Sequence, residues 1–360
     1  MHIPDFNERK KTNVTTRWPN LHSFEAVETH SWFRLRWIRY HAMNTKLSHR
    51  SPRVWLRSVD RQSAMKYGNV IDAKRNGTCR HIWLCADDYG ISPAVNVAIR
   101  DLVVRGRINA TSVMIVAPSF YRSEAVSLNI LNASETRVAI GLHVTLTAPY
   151  QPLSRNFRHV CDGMFLSKRD TVRHSFLHLF RREMVASEIS SQLQEFITAF
   201  GRVPDFIDGH QHVHLFPQVR EALLSVVKDV APNVWVRQCG RIGPLHKRLS
   251  DPKAIALDVL SSGFRRLANR YGVRMNPAFA GTYGFAKDAD YAQVFPKFLR
   301  GLPDGSVVMC HPGFVDAELQ RLDPLTTLRE REYLFLIDNS FPGLLDAHGL
   351  TLLPLSSTNS

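Results

Sequence analysis

The sequence predicts an α/β fold built on a mostly parallel sheet, open or closed into a barrel. Short apolar runs of the buried-strand kind recur from residue 81 onward. Amphipathic segments with helix start and stop signals lie between them. Length sets the scale, since 360 residues with 44% hydrophobic and 22% charged content suffice for one large core or two modest ones.

Residues 1–78 come first and show little periodicity; they are expected to form a poorly structured basic extension. Met65 offers a later start just ahead of the first strand, so the extension is alternatively no part of the native product. Within it, "SWFRLRWIRYHAM" (31 to 43), with Arg34, Arg36 and Arg39, reads either as a short amphipathic element for an anionic surface or as unstructured chain. Residues 79–360 then form the body. "HIWLCA" (81 to 86) is its first strand, and Asp87 and Asp88 fall in the loop that follows. Ser92 and Pro93 suit a helix N-cap and first helical position; Val95, Ala98, Ile99, Leu102 and Val103 follow at helical spacing, and Gly106 closes the unit. Further strands are expected at "TSVMIV" (111 to 116), "VAIGLHV" (138 to 144), "DFIDGH" (205 to 210), "VWVRQ" (234 to 238) and "SVVMCH" (306 to 311). Helices are expected over Ile189 to Phe200, before Gly201, and over Val219 to Val230, after Pro217.

Charge separates the two parts. The net is +14, but residues 1–80 carry 16 Lys/Arg against 6 Asp/Glu, leaving 30 against 26 for the rest. A nearly neutral body speaks against a nucleic-acid partner for it. Cys79, Cys85, Cys161, Cys239 and Cys310 are odd in number, scattered and form no C-x-x-C pair, which argues against a disulfide framework and a thiolate zinc site and fits a reducing compartment. The start "MHIPDFNERKK" lacks a secretory apolar region and no stretch has the length of a membrane span, so a cytoplasmic protein is expected.

In parallel α/β folds the chemistry gathers at the carboxyl ends of the strands. Here those ends deliver Asp87 and Asp88, then His143, then Asp208, Gly209 and His210 with His212 and His214 following, and finally Cys310, His311, Pro312 and Gly313. Two neutral imidazoles and one carboxylate make a common ligand set for a divalent ion, and a second acid beside them can take a proton from water. Each element also has a structural reading. Asp87 and Asp88 before Gly90 suit a turn, and His143 suits a satisfied core histidine. His210, His212 and His214, at spacing two, would share one face of an extended segment.

"ADDYGIS" with Asn96 a few residues on, "GLHVTL", "DGHQHVHLFP" and "CHPG", in this order, resemble the YdjC-like carbohydrate deacetylases. That family includes the chitooligosaccharide deacetylase and the hopanoid-biosynthesis-associated deacetylase. "INATSVMIVAPSF" (108 to 120) and the "ADDYG" form look more like the latter branch. The resemblance spans about residues 81 to 355. It implies a distorted (β/α) barrel and one divalent metal ion held by Asp88, His143 and His210. By similarity to the wider polysaccharide deacetylase group, Asp87 would be the general base and His311 the acid that protonates the leaving amine. Many relatives carry a serine and a further histidine where this chain has Gly209 and Gln211, a departure that bears on substrate contacts.

The expected reaction is hydrolysis of an N-acetyl group on an amino sugar or glycoconjugate, with an N-acetylated sugar or glycolipid as substrate. Histidine ligation favours zinc, cobalt or iron, whereas the resemblance implies magnesium; Mg2+ and Zn2+ both stay open. Two rivals are a metal-dependent phosphoesterase, which would want more carboxylates and a second metal, and a nucleic-acid or membrane-surface binder driven by the basic extension. Two further candidates accompany the site. Arg237, near a strand end, would tune an acid, bind substrate or lie on the surface. In "VCDGMFL" (160 to 166), Asp162 and Phe165 would meet a sugar, or form an ordinary Asp-Gly turn.

Overall fold

The computed structural model describes residues 79–133, 138–241, 252–284 and 289–353, and everything below concerns these. The basic extension, including the amphipathic candidate at 31 to 43, lies outside the described residues.

Ten strands appear in chain order: β1 (Arg80–Tyr89), β2 (Ala110–Val113), β3 (Ala139–Val144), β4 (Val160–Cys161), β5 (Met164–Phe165), β6 (Phe206–Gly209), β7 (Trp235–Val236), β8 (Phe279–Ala280), β9 (Ser306–Cys310) and β10 (Leu350–Leu352). Eight form one sheet in the order β7-β6-β3-β2-β1-β9-β8, with β10 pairing the start of β1, and every pairing in it is parallel. Its two ends curl toward each other. Val236 N donates to Arg274 O at 2.9 Å and Phe279 N to Gly240 O at 3.1 Å, linking the β7 side to the β8 side. The expected α/β class and distorted barrel are therefore observed. The strands are buried nearly end to end, as sheets covered by helices require.

The helices follow local chemistry. Ser92 accepts from Val95 N and Pro93 opens the helix Pro93–Val104, while Gly106 turns the chain at φ 62°. Helix Arg182–Phe200 ends on Gly201 in the left-handed region and buries its Ile189, Leu193 and Phe196 stripe against the sheet. Two polar residues on that stripe, Glu188 and Gln192, are not waste. Gln192 accepts from Thr145 N at 3.0 Å and donates to Thr145 O at 2.7 Å, pinning the chain just after β3.

The aspartate pair is not in a loop, as the sequence suggested, but inside the end of β1. Pairing with β2 advances from Ala86/Thr111 to Tyr89/Val113, so β1 holds one extra residue there. Asp88 absorbs it with φ 68°. Such a bulge breaks the strict alternation of a strand. Adjacent carboxylates can then serve the same cluster, and the chain turns immediately afterward through Ile91 N to Asp88 O, 3.1 Å.

Candidate active site

Three strand ends, those of β1, β3 and β6, meet around Asp88. Its Oδ1 lies 2.9 Å from His210 Nδ1 and 3.3 Å from His143 Nε2. Its Oδ2 accepts from Arg329 at 2.6 Å. Asp88, His143 and His210 are all buried and offer ligand atoms within 4.8 Å of one another. His143 and Asp208 are register partners on β3 and β6, and Asp208 Oδ1 sits 2.5 Å from His143 Nδ1. A carboxylate behind the imidazole fixes the ring and leaves Nε2 turned to Asp88, as in carboxylate-histidine-metal arrangements.

Asp87 occupies the neighbouring compartment. Arg237 forks onto it, with both contacts at 2.7 Å, and reaches Asp208 Oδ2 at 2.6 Å. Ser112 Oγ adds a bond to Asp87 Oδ1 at 3.2 Å. Arg237 is fully buried, with its guanidinium 5.9 Å from the ring centroids of Phe206 and Phe279, so the surface reading of this residue is wrong. The close packing extends to Gly141, where a Cβ would fall 2.3 Å from the Phe206 ring.

The electrostatics follow from these pairs. Burial alone would raise the pKa of Asp87, but Arg237 holds its carboxyl well below the usual carboxylate range. Burial is likewise outweighed at Asp88, chiefly by Arg329 and His210. Burial would lower the His143 ring, yet Asp208, with Asp88 and Asp87 nearby, raises it to about 10. Positive charge is favoured at this place. Among the described residues, Asp87, Asp88, Asp208 and Asp323 face only Arg237 and Arg329 as guanidinium partners, so the carboxylates outnumber them. The donor set and this excess negative charge fit a divalent ion.

His311 is placed by the end of β9. Its backbone N–H donates to Glu332 Oε2 at 2.5 Å, and its ring is near enough to lower the pKa of Asp87. Glu332 also accepts from Tyr283 Oη at 2.6 Å. Asn96 ties the turn after β1, accepting from Gly90 N at 2.6 Å and donating to Ser119 O.

Three expectations change. Residues His210–Leu215 form short 3₁₀ turns rather than an extended segment, with Gln211 and His212 at φ 55° and 60°. This rotates His212 and His214 away from His210: His214 bonds Arg237 O at 2.9 Å, packs on Phe264, and burial lowers its pKa to about 4. A side chain at Gly209 would collide with that ring, 2.9 Å from His214 Nδ1, so the missing serine is accounted for by local packing. Asp162 and Gly163 sit at φ 51° and 78° in the exposed turn of the β4–β5 hairpin, which supports the turn reading. Phe165 is buried against Phe157 and is not a sugar platform.

Sequence reasoning assigned no role to Asp208, Arg329, Ser112 or Glu332. Asp208 was visible inside "DFIDGH" and its register with His143 was not. Arg329 and Glu332 sit in "TLREREYLFLI", where alternating charges look like a solvated face; in the fold they are buried with Tyr333 and Leu336 at i, i+3, i+4 and i+7 spacing.

Comparison with known proteins bears on family and fold. A family model described as YdjC-like protein matches residues 81–347. A carbohydrate deacetylase of Clostridium beijerinckii is 26% identical over 270 residues, covering 70% of this chain and 93% of the relative. A solved structure from Enterococcus faecalis, described as a cellobiose-phosphate cleavage protein, superposes with TM-score 0.62 at 22% identity, over 76% of this chain and 97% of that one. This last likeness concerns the fold.

Proposed function

The chain belongs to the YdjC-like protein family, and on that footing we propose that it is a metal-dependent carbohydrate deacetylase that removes an N-acetyl group from an amino sugar, free or carried on a lipid. The observation that carries this is the joint placement of Asp88, His143 and His210 around one point, with Asp87 immediately beside them. Asp88 Oδ1, His143 Nε2 and His210 Nδ1 would hold one divalent ion, Mg2+ or Zn2+. The chemistry such an ion supplies when bound is Lewis acidity toward the acetyl oxygen and toward water.

The protein's own residues do the rest. Asp87 Oδ1 is engaged by Arg237 and Ser112, whereas Oδ2 accepts only from Arg237 among the described residues and keeps a lone pair. That oxygen takes the proton of the water as its oxygen attacks the acetyl carbon. His311 gives a proton to the amide nitrogen as the C–N bond breaks, because an amine anion is a poor leaving group. The products are acetate and the free amine. Arg329 holds Asp88 through Oδ2, so that Oδ1 stays turned to the imidazoles.

The phosphoesterase alternative is weakened by a second acidic group, Cys85, Asp87 and Asp208, which resembles a further cation site. Arg237 already fills it, donating to Asp87, contacting Asp208 and lying 3.0 Å from Cys85 Sγ. The guanidinium occupies the place a second metal would need. The test is acetate release across N-acetylated monosaccharides, chitooligosaccharides and lipid-linked N-acetylglucosamine, before and after chelation. Acetate is expected with at least one substrate and is lost on chelation; turnover of phosphate esters without acetate release would overturn the reading.

Ligand assignment has its own check. His210→Ala is expected to lose most bound metal, and His214→Ala to keep it while lowering stability by about 1–3 kcal/mol through lost packing. Metal content and thermal melting of the purified variants measure both. Full metal occupancy in His210→Ala would remove that residue from the site.

A further inference from the structure

We propose that the insertion between β3 and β6, residues 151–182, is a docking face for an anionic membrane surface. Leu153, Val160, Met164, Phe176, Leu177 and Leu179 are each between 36% and 58% exposed, a local concentration of large apolar side chains facing water. The same stretch carries seven Lys/Arg against two Asp. Of these, Arg155, Arg158, Arg169, Arg173, Arg181 and Arg182 are exposed and form no ion pair with an acidic side chain among the described residues.

The insertion has an inside and an outside. Its inner aromatics pack together, with Phe157 and Phe165 rings 5.1 Å apart and Phe157 and Phe180 6.5 Å apart. The hairpin leans on helix Lys168–Phe176 through His159 and His174, 5.4 Å apart. The exposed apolar side chains and arginines are therefore carried by one packed unit. Apolar side chains separated by arginines suit the headgroup layer, where the former enter the acyl boundary and the latter meet lipid phosphates. No helix among the described residues is long and apolar enough to cross a membrane.

Location adds meaning. Phe165 N donates to Tyr150 O at 2.8 Å, Ala148 N to Leu166 O at 2.9 Å, and Tyr150 stands edge-on to His210 at 5.9 Å. The β4–β5 hairpin is thus linked through Tyr150 to the candidate active site. The proposal does not depend on the reaction assigned there.

The test is co-sedimentation of the full chain with phosphatidylcholine vesicles, with and without phosphatidylglycerol, at low and high salt. Binding is expected only with the anionic lipid and is weakened by salt. The pair Leu177→Asp and Leu179→Asp should reduce partitioning at least about tenfold, as should Arg169→Glu with Arg173→Glu. Val259→Asp, an equally exposed apolar position on helix Pro252–Tyr271, should change nothing. Circular dichroism checks that each variant is folded, and the arginine pair decides the matter if the leucine pair is not. Absence of binding to anionic vesicles would overturn the proposal. Binding that survives both pairs would place it elsewhere, including residues 1–78, and retention of RNA or an acidic protein in place of vesicles would reassign the face.

Discussion

Asp87→Asn is expected to keep its metal and lose activity by about 10²- to 10⁴-fold, the usual contribution of a general base. The side chain stays the same size, and none of the three proposed ligands changes. Asp88→Asn is expected to fail differently. It replaces an anionic ligand by a neutral amide, so metal content and activity fall together, and excess metal restores part of the rate. Added metal should do nothing for Asp87→Asn. Metal analysis and acetate release on both proteins separate the two outcomes. Metal loss in Asp87→Asn with retention in Asp88→Asn would exchange the roles, and full turnover in both would sink the mechanism.

Arg237→Met should cost about 3–5 kcal/mol of stability, because it leaves Asp87 and Asp208 buried without their guanidinium partner. For a body of this size that is a melting-temperature drop on the order of 10 °C. The pH dependence has a definite sign. Arg237 depresses the folded-state pKa of Asp87, so the stabilisation is present above the unfolded carboxylate value near 4 and is lost as pH falls toward the folded value. Without Arg237, burial raises the Asp87 pKa and the variant loses stability as pH rises through it. Melting curves should diverge between pH 4 and pH 7, with the variant closest to the wild type at the acidic end. Parallel curves across that range would show that Asp87 draws no net stabilisation from Arg237.

The local signals in the chain were readable because they are local. Ser92, Pro93, Gly106 and Gly201 mark helix ends through their own backbone chemistry, and the observed caps follow them. The residue types at the strand ends were readable for the same reason. Partners set by register or by a distant helix were not. Asp208 meets His143 only because β3 and β6 align them, and Arg329 reaches Asp88 from a helix far along the chain. The short strands β8 and β10 escaped notice because two or three residues carry no period, and their position is decided by the neighbours they pair with. The bulge at Asp88 likewise has no signature beyond the aspartate itself, one of the residue types that accept the left-handed region.

β1 takes its hydrogen-bonding partners from widely separated parts of the chain: Cys85 aligns with Ala110 on β2 and with Met309 on β9, while Arg80 aligns with Leu350 on β10. During translation β1 and β2 leave the ribosome early, and β1 then has one edge open until β9 has been made and the start of its other edge open until β10 has been made. An apolar strand held open for most of synthesis is a template for mispairing between nascent chains. The loop-closure entropy of such distant partners also slows the final zipping of the sheet. The sheet is therefore expected to close late, with β1 fully paired only once β10 has been made.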